Sequence, residues 1–177
     1  MAIIDSIKIG QPMPAIIPDQ EARGDDLEII ESVDIGRSMT YCYTYIPYYP
    51  NNINYAVLDG RMRDAISSRF TGCLMVAWEE NGQIKAGHVH KGPAHDCGSI
   101  WAGKRDNAST VRSFSFKPSD VHIANSDGLL VPNCYGFITF NDTFDILAAY
   151  SVVTDCNNIV TMKELMFKGA FTGKIEL

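Results

Sequence analysis

Along most of this chain the apolar positions recur with a period near two, the spacing that sends alternate side chains to opposite faces of a strand. Residues 38–46 carry the strongest such signal in the first half. Tyr41, Tyr43 and Tyr45 share one face, Cys42 and Thr44 the other, and Pro47 and Pro50 close the run. Residues 70–78 read as a central strand, because Cys73, Leu74, Met75, Val76, Ala77 and Trp78 are all apolar or small. Asn81-Gly82 suits the positive φ of a tight hairpin turn, and residues 83–90 form the returning strand. Shorter β signals lie at 2–9, 27–35, 111–116, 121–124, 135–140, 144–153 and 171–177.

Two segments break that period. Residues 55–69 predict a helix, since Val57, Leu58, Met62, Ala65 and Ile66 share one helical side and Asp59 precedes Arg63 by four. Residues 159–167 fit either a helix or one arm of a hairpin. Residues 91–107, rich in Gly, Asp and small side chains, read as a long loop. Residues 10–26 contain Pro12, Pro14 and Pro18 and read as an extended arm. The pattern predicts one α+β domain over 1–177, a β-rich sandwich or strongly twisted mixed sheet with flanking helices.

Composition narrows the function classes. The 177 residues carry 15 Lys and Arg against 21 Asp and Glu, a net charge of -6 that opposes nucleic-acid binding. No run of 18 apolar residues predicts a membrane span, and residues 1–10 lack the features of a secretory signal peptide. Cytoplasmic synthesis is therefore expected, with any export independent of such a signal. Five cysteines, at 42, 73, 97, 134 and 156, form no CxxC pair and make a poor disulfide or zinc framework.

The chemistry-bearing pattern is the hairpin around Asn81-Gly82. Cysteine catalysis needs an accessible thiol beside a base. Cys73 follows Gly72, and His88 and His90 lie on the returning strand. A turn centred on Asn81 and Gly82 pairs residues whose numbers sum to about 163, which sets Cys73 opposite position 90 and diagonal to 88. Spacing alone does not choose between the two imidazoles. Thr71, Gly72 and His90 are the candidates for an oxyanion or orienting region.

The segment Phe70-Thr71-Gly72-Cys73, followed by Gly87-His88-Val89, resembles the catalytic signature of bacterial toxin glutamine deamidases. These include the cytotoxic necrotizing factor catalytic domain and the Burkholderia lethal factor. The resemblance covers about twenty residues, and Thr71 replaces the serine of the Ser-Gly-Cys motif. It implies Cys73 as nucleophile, His88 as base and a β-sandwich with flanking helices. It further implies a protein-glutamine substrate on a host GTPase or translation factor, an effector role, and no cofactor.

Three other readings stay open. The same Cys73–His88 pair suits a protease or transglutaminase, which share thioester chemistry. His88, His90, His95 and Cys97 offer a set of zinc ligands. Tyr41, Tyr43, Tyr45, Tyr48 and Tyr49 suit the interaction surface of a non-enzymatic β-rich module. Cys42, Cys134 and Cys156 are expected as core thiols, and Asp59 and Asp64 as solvated or turn residues.

Overall fold

The computed structural model describes residues 2–14, 28–31, 35–37, 41–92, 97–123 and 133–177. Strands β1 (Glu28–Glu31), β4 (Asn52–Leu58), β6 (Leu74–Glu80), β7 (Gln83–Val89), β8 (Thr110–Phe116) and β12 (Lys174–Glu176) form one sheet. Its order is β1-β4-β7-β6-β8-β12. Strands β2 (Ile35–Arg37), β3 (Cys42–Ile46), β5 (Asp64–Ser67), β9 (Asn133–Phe140), β10 (Ile146–Thr154) and β11 (Val160–Ala170) form the other. Its order is β11-β10-β9-β5-β3-β2. The two sheets share a core in which Ala56, Met75, Ala77, Ala86 and Phe114 of the first pack with Ala65, Ile138, Leu147 and Ala149 of the second. The architecture is an α+β, β-rich sandwich.

Each sheet also buries residues on its outer face. The 3₁₀ turn Ile3–Ser6 brings Ile3, Ile4 and Ile7 against Tyr43, Tyr45, Ile66 and Phe137 of the second sheet. Helix α1 (Gly98–Asp106) lays Trp101 on Val76, Trp78 and Val89 of the first, with the two indoles 5.5 Å apart. Tyr43 and Tyr45 are fully buried, so they are packing residues and not part of an exposed tyrosine surface, whereas Tyr41, Tyr48 and Tyr49 are half-buried.

Several sequence expectations need correction. Residues 55–69 hold no helix: β4 ends at Leu58, and the Asp59 carboxylate accepts the backbone N–H groups of Arg61 (2.8 Å) and Met62 (2.9 Å), closing a turn before β5. The apolar residues that looked helical are split between two strands of different sheets, which bury them without a shared helical stripe. Residues 2–9 hold the 3₁₀ turn in place of a strand, and residues Asp120–Ile123 form a four-residue helical turn, α2, in place of short β. The loop expected at 91–107 contains α1, whose single fully buried side chain, Trp101, leaves almost no apolar periodicity to detect.

The segment at 159–167 resolves as a hairpin with β10, bulged at Ala149/Tyr150 and Val153/Thr154. In the arm, Pro12 bridges Ile159 and Met13 donates its backbone N–H to Asn158 O at 2.8 Å; residues 15–26 lie outside the described residues.

Candidate functional site

The hairpin register follows the sequence reading. Leu74 pairs with Val89, Met75 with His88 and Glu80 with Gln83, a constant sum of 163. Asn81 (φ 54°) and Gly82 (φ 74°) supply the two left-handed residues that such a turn requires. Alternation then sends Met75, Ala77, Ala86 and His88 inward to the shared core, while Val76, Trp78 and Val89 face outward beneath α1. Cys73 precedes β6 on the Met75 side and belongs to the shared core. Sulfur and imidazole therefore enter the same inter-sheet space at one end of the sandwich.

In that space one row of large residues meets one row of small ones. The first sheet contributes Asn54, His88, Met75 and Phe116 in register, and the second contributes Ile46, Ser67, Gly136 and Ser151. A Cβ on Gly136 would sit 2.6 Å from Met75 Sδ and 3.1 Å from Phe70 Cε2, so the absence of a side chain there makes room for both. Phe70 in turn stacks on His88, with ring centroids 4.1 Å apart and planes 7° from parallel. Tyr48 covers another side of the ring at 5.1 Å.

Hydrogen bonding fixes the imidazole. Ser67 Oγ donates its single hydrogen to Ile46 O at 2.6 Å and lies 2.7 Å from His88 Nδ1. A hydroxyl has one hydrogen, so Ser67 must accept at the second contact and His88 must donate. His88 therefore carries its proton on Nδ1. Its Nε2 is a bare acceptor, buried and without a hydrogen-bond partner among the described residues. The Cys73 thiol consequently does not hydrogen-bond this nitrogen in the present conformation.

Burial sets the protonation states. His88 is 1% exposed, and loss of hydration lowers its pKa to about 3, with the charge of His90 adding to the effect. Cys73 is 3% exposed, and burial raises its pKa. The Lys91 backbone N–H, which hydrogen-bonds the sulfur, and the Lys91 ammonium partly oppose that rise. At neutral pH the resting pair is a thiol and a neutral imidazole, not an ion pair. Next to the buried sulfur in sequence, Thr71 is exposed, and Gly72 holds φ +149° with nothing within 4 Å of where a Cβ would stand.

No protein-family model, curated protein or solved structure matches the chain.

The remaining candidates fall around this site or apart from it. His90 is half-buried, and its Nδ1 is 3.1 Å from the Tyr48 hydroxyl. Cys97 packs with Val89 and Trp101 on the opposite face of the sheet from His88, and His95 lies outside the described residues. Among the described residues no group of three His, Cys, Asp or Glu side chains is arranged to hold a metal. Cys134 is a core thiol as expected, with its pKa raised to about 12 by burial, but Cys42 and Cys156 are exposed. Cys156 lies in the turn between β10 and β11, and Cys42 is the first residue of β3.

Asp64 also departs from its expected place in solvent. Its carboxylate accepts Thr139 Oγ1 at 2.5 Å and Ile3 N at 3.4 Å, and burial raises its pKa. No helix among the described residues is long and apolar enough to cross a membrane.

Sequence reasoning missed Ser67 and Asn54, and placed Tyr48 on an interaction surface where the structure sets it against His88. Ser67 fell inside the segment read as helix, and Asn54 immediately before it. Only the strand register reveals that both face His88.

Proposed function

We propose that this protein is a cysteine-dependent amidohydrolase that converts a protein glutamine to glutamate, with Cys73 as nucleophile and His88 as base. The observation that carries the reading is the hydrogen-bond chain Ile46 O–Ser67 Oγ–His88 Nδ1, which leaves the Nε2 lone pair on the sheet face that also bears Cys73. The Gly72-Cys73 turn and the hairpin register support it.

Attack of Cys73 sulfur on the carboxamide carbon passes the thiol proton to His88 Nε2. Backbone amides beside Gly72 and Cys73 stabilise the oxyanion. The C–N bond breaks as His88 gives that proton to the departing nitrogen, releasing ammonia and leaving a thioester. Water then loses a proton to His88 and attacks the thioester carbon, and the sulfur leaves and recovers the proton. The target gains a carboxylate where it had a neutral amide. The buried thiol and imidazole make access a prerequisite: the residues over Cys73 must move before a side chain as large as glutamine can enter. Ser67 acts as a positioning residue, through the tautomer of His88.

A second reading is a non-enzymatic β-rich binding module in which Cys73 and His88 only pack the core. The 3% and 1% exposure of these residues favours it.

One experiment separates them. A cell-protein extract is incubated with the wild-type protein, Cys73→Ser or His88→Ala, and its glutamine residues are followed by peptide mass spectrometry. Deamidation adds about 1 Da to an intact target, whereas proteolysis or amine transfer leaves cleaved or enlarged products. Conversion by wild type alone supports the hydrolase; the same spectra for all three proteins overturn it.

A further inference from the structure

Two buried acceptors belong to directly paired residues of this site, and no described residue satisfies either. Asn54 is fully buried on β4 and pairs directly with His88 on β7. Its Nδ2 donates to Pro47 O at 2.7 Å. A carbonyl only accepts, so that contact fixes the amide orientation and leaves Oδ1 as the other atom. Oδ1 has no partner, and neither has His88 Nε2. Directly opposed residues of antiparallel strands hold their Cβ atoms about 4.5–5.5 Å apart, so the two side chains are close neighbours on one sheet face. Native structures rarely bury a polar atom unmet, and two such acceptors on paired residues call for a donor that the described residues do not supply.

We propose that Asn54 is the residue that selects a primary carboxamide, its Oδ1 accepting one N–H of the substrate's amide nitrogen. This rests on the hydrolase reading above and adds substrate recognition to it. Held by Asn54, the nitrogen lies beside His88 Nε2, which takes the thiol proton and then delivers it to that nitrogen. An ester, which has no N–H, would leave Asn54 Oδ1 unmet and be rejected. Asn54 thus acts at the leaving group, whereas Ser67 acts on the base.

Alkylation tests this without a known target. Iodoacetamide carries a primary carboxamide and methyl iodoacetate does not, and the exposed Cys42 and Cys156 of the same chain report the intrinsic reactivity of each reagent. Peptide mass spectrometry gives the rate at each cysteine. Relative to those two thiols, wild-type Cys73 is expected to favour iodoacetamide by about tenfold or more, the effect of one well-made hydrogen bond. Asn54→Leu abolishes the preference. Asn54→Asp, protonated so that it donates to Pro47 O and keeps one acceptor oxygen, retains it.

If the leucine variant fails to fold, the wild-type ratio and the aspartate variant carry the test. No preference at wild-type Cys73, or a preference that survives Asn54→Leu, overturns the proposal and assigns the two acceptors to an internal water. Amide preference without glutamine conversion in the extract would overturn the hydrolytic reading alone. Glutamine conversion without amide preference would overturn the role of Asn54 alone. A Cys73 that neither reagent labels until the protein is unfolded overturns both.

Discussion

His88 Nδ1 and Ser67 Oγ meet at 2.7 Å across the space between the two sheets, and this contact decides which ring nitrogen carries the proton. Because Ser67 gives its only hydrogen to Ile46 O, the bond also couples His88 on the first sheet to the backbone of β3 on the second.

Ser67→Ala removes that coupling. It leaves His88 Nδ1 and Ile46 O buried without each other's bridge, at a cost of about 1–3 kcal/mol in stability. Glutamine conversion is expected to fall on the order of 100-fold, as the ring loses its fixed tautomer, while Ser67→Thr keeps a hydroxyl in place and retains most of the rate. Chemical denaturation and the extract assay measure the two effects separately. An alanine variant of unchanged rate would remove Ser67 from the site.

Acid should destabilise the protein before its carboxylates titrate. In the unfolded chain His88 protonates near pH 6.5, but in the folded protein its pKa is lowered to about 3. Between those values the unfolded state binds a proton that the folded state refuses. Stability is therefore full above about pH 7 and falls with decreasing pH through the window from about 6.5 to 3, at roughly 1 kcal/mol per pH unit. Glu80, held down to about 2 by Lys104 and Lys85, loses its contribution only below its unfolded value near 4.5. Urea midpoints between pH 7 and 5 should fall for wild type and stay flatter for His88→Gln.

Gly136→Ala tests the large-over-small packing of the two rows. The added methyl would meet Met75 Sδ at 2.6 Å and Pro118 Cγ at 2.9 Å, so either the sheets separate or Met75 and Phe70 move. A loss of about 1–3 kcal/mol is expected, with weaker stacking of Phe70 on His88. Adding Met75→Val should restore part of the loss, and strictly additive unfolding energies would show that the two residues do not meet as described.

Thiol labelling should follow burial. Cys42 and Cys156 react first, Cys97 and Cys134 resist until unfolding, and Cys73 falls between, accelerating as pH rises because its pKa is raised. Time-resolved alkylation with peptide mapping gives the order. Labelling of Cys134 at the rate of Cys73 would mean that the Gly72 side offers no privileged entry.

The sandwich and the hairpin were legible because they rest on local rules. Period-two runs identify strands, and Asn81-Gly82 fixes a register that holds to β6's last pair, Glu80 and Gln83. The false helix at 55–69 arose because Val57, Leu58, Ala65 and Ile66 are compatible with 3.6 spacing as well. What divided them was the Asp59 turn and the pairing of β4 and β5 with strands far away in sequence. Helix α1 failed for the opposite reason: Gly98, Gly103 and several polar residues mask its one anchor, Trp101. Cys73 and His88 could be placed at the same end of one hairpin from spacing. Ser67 and Asn54 could not, because each reaches His88 through a pairing or sheet contact that no local pattern encodes.

Nitrogen-15 NMR of the His88 ring, recorded from pH 7 to 5 with His88→Gln for assignment, tests the physical basis of the proposed chemistry. The expected spectrum has a protonated Nδ1 and a bare Nε2 that persist across the range, and both signals change in Ser67→Ala. A proton on Nε2, or a ring that becomes imidazolium near pH 6, would contradict it, since Cys73 would then face a donor where it needs a base.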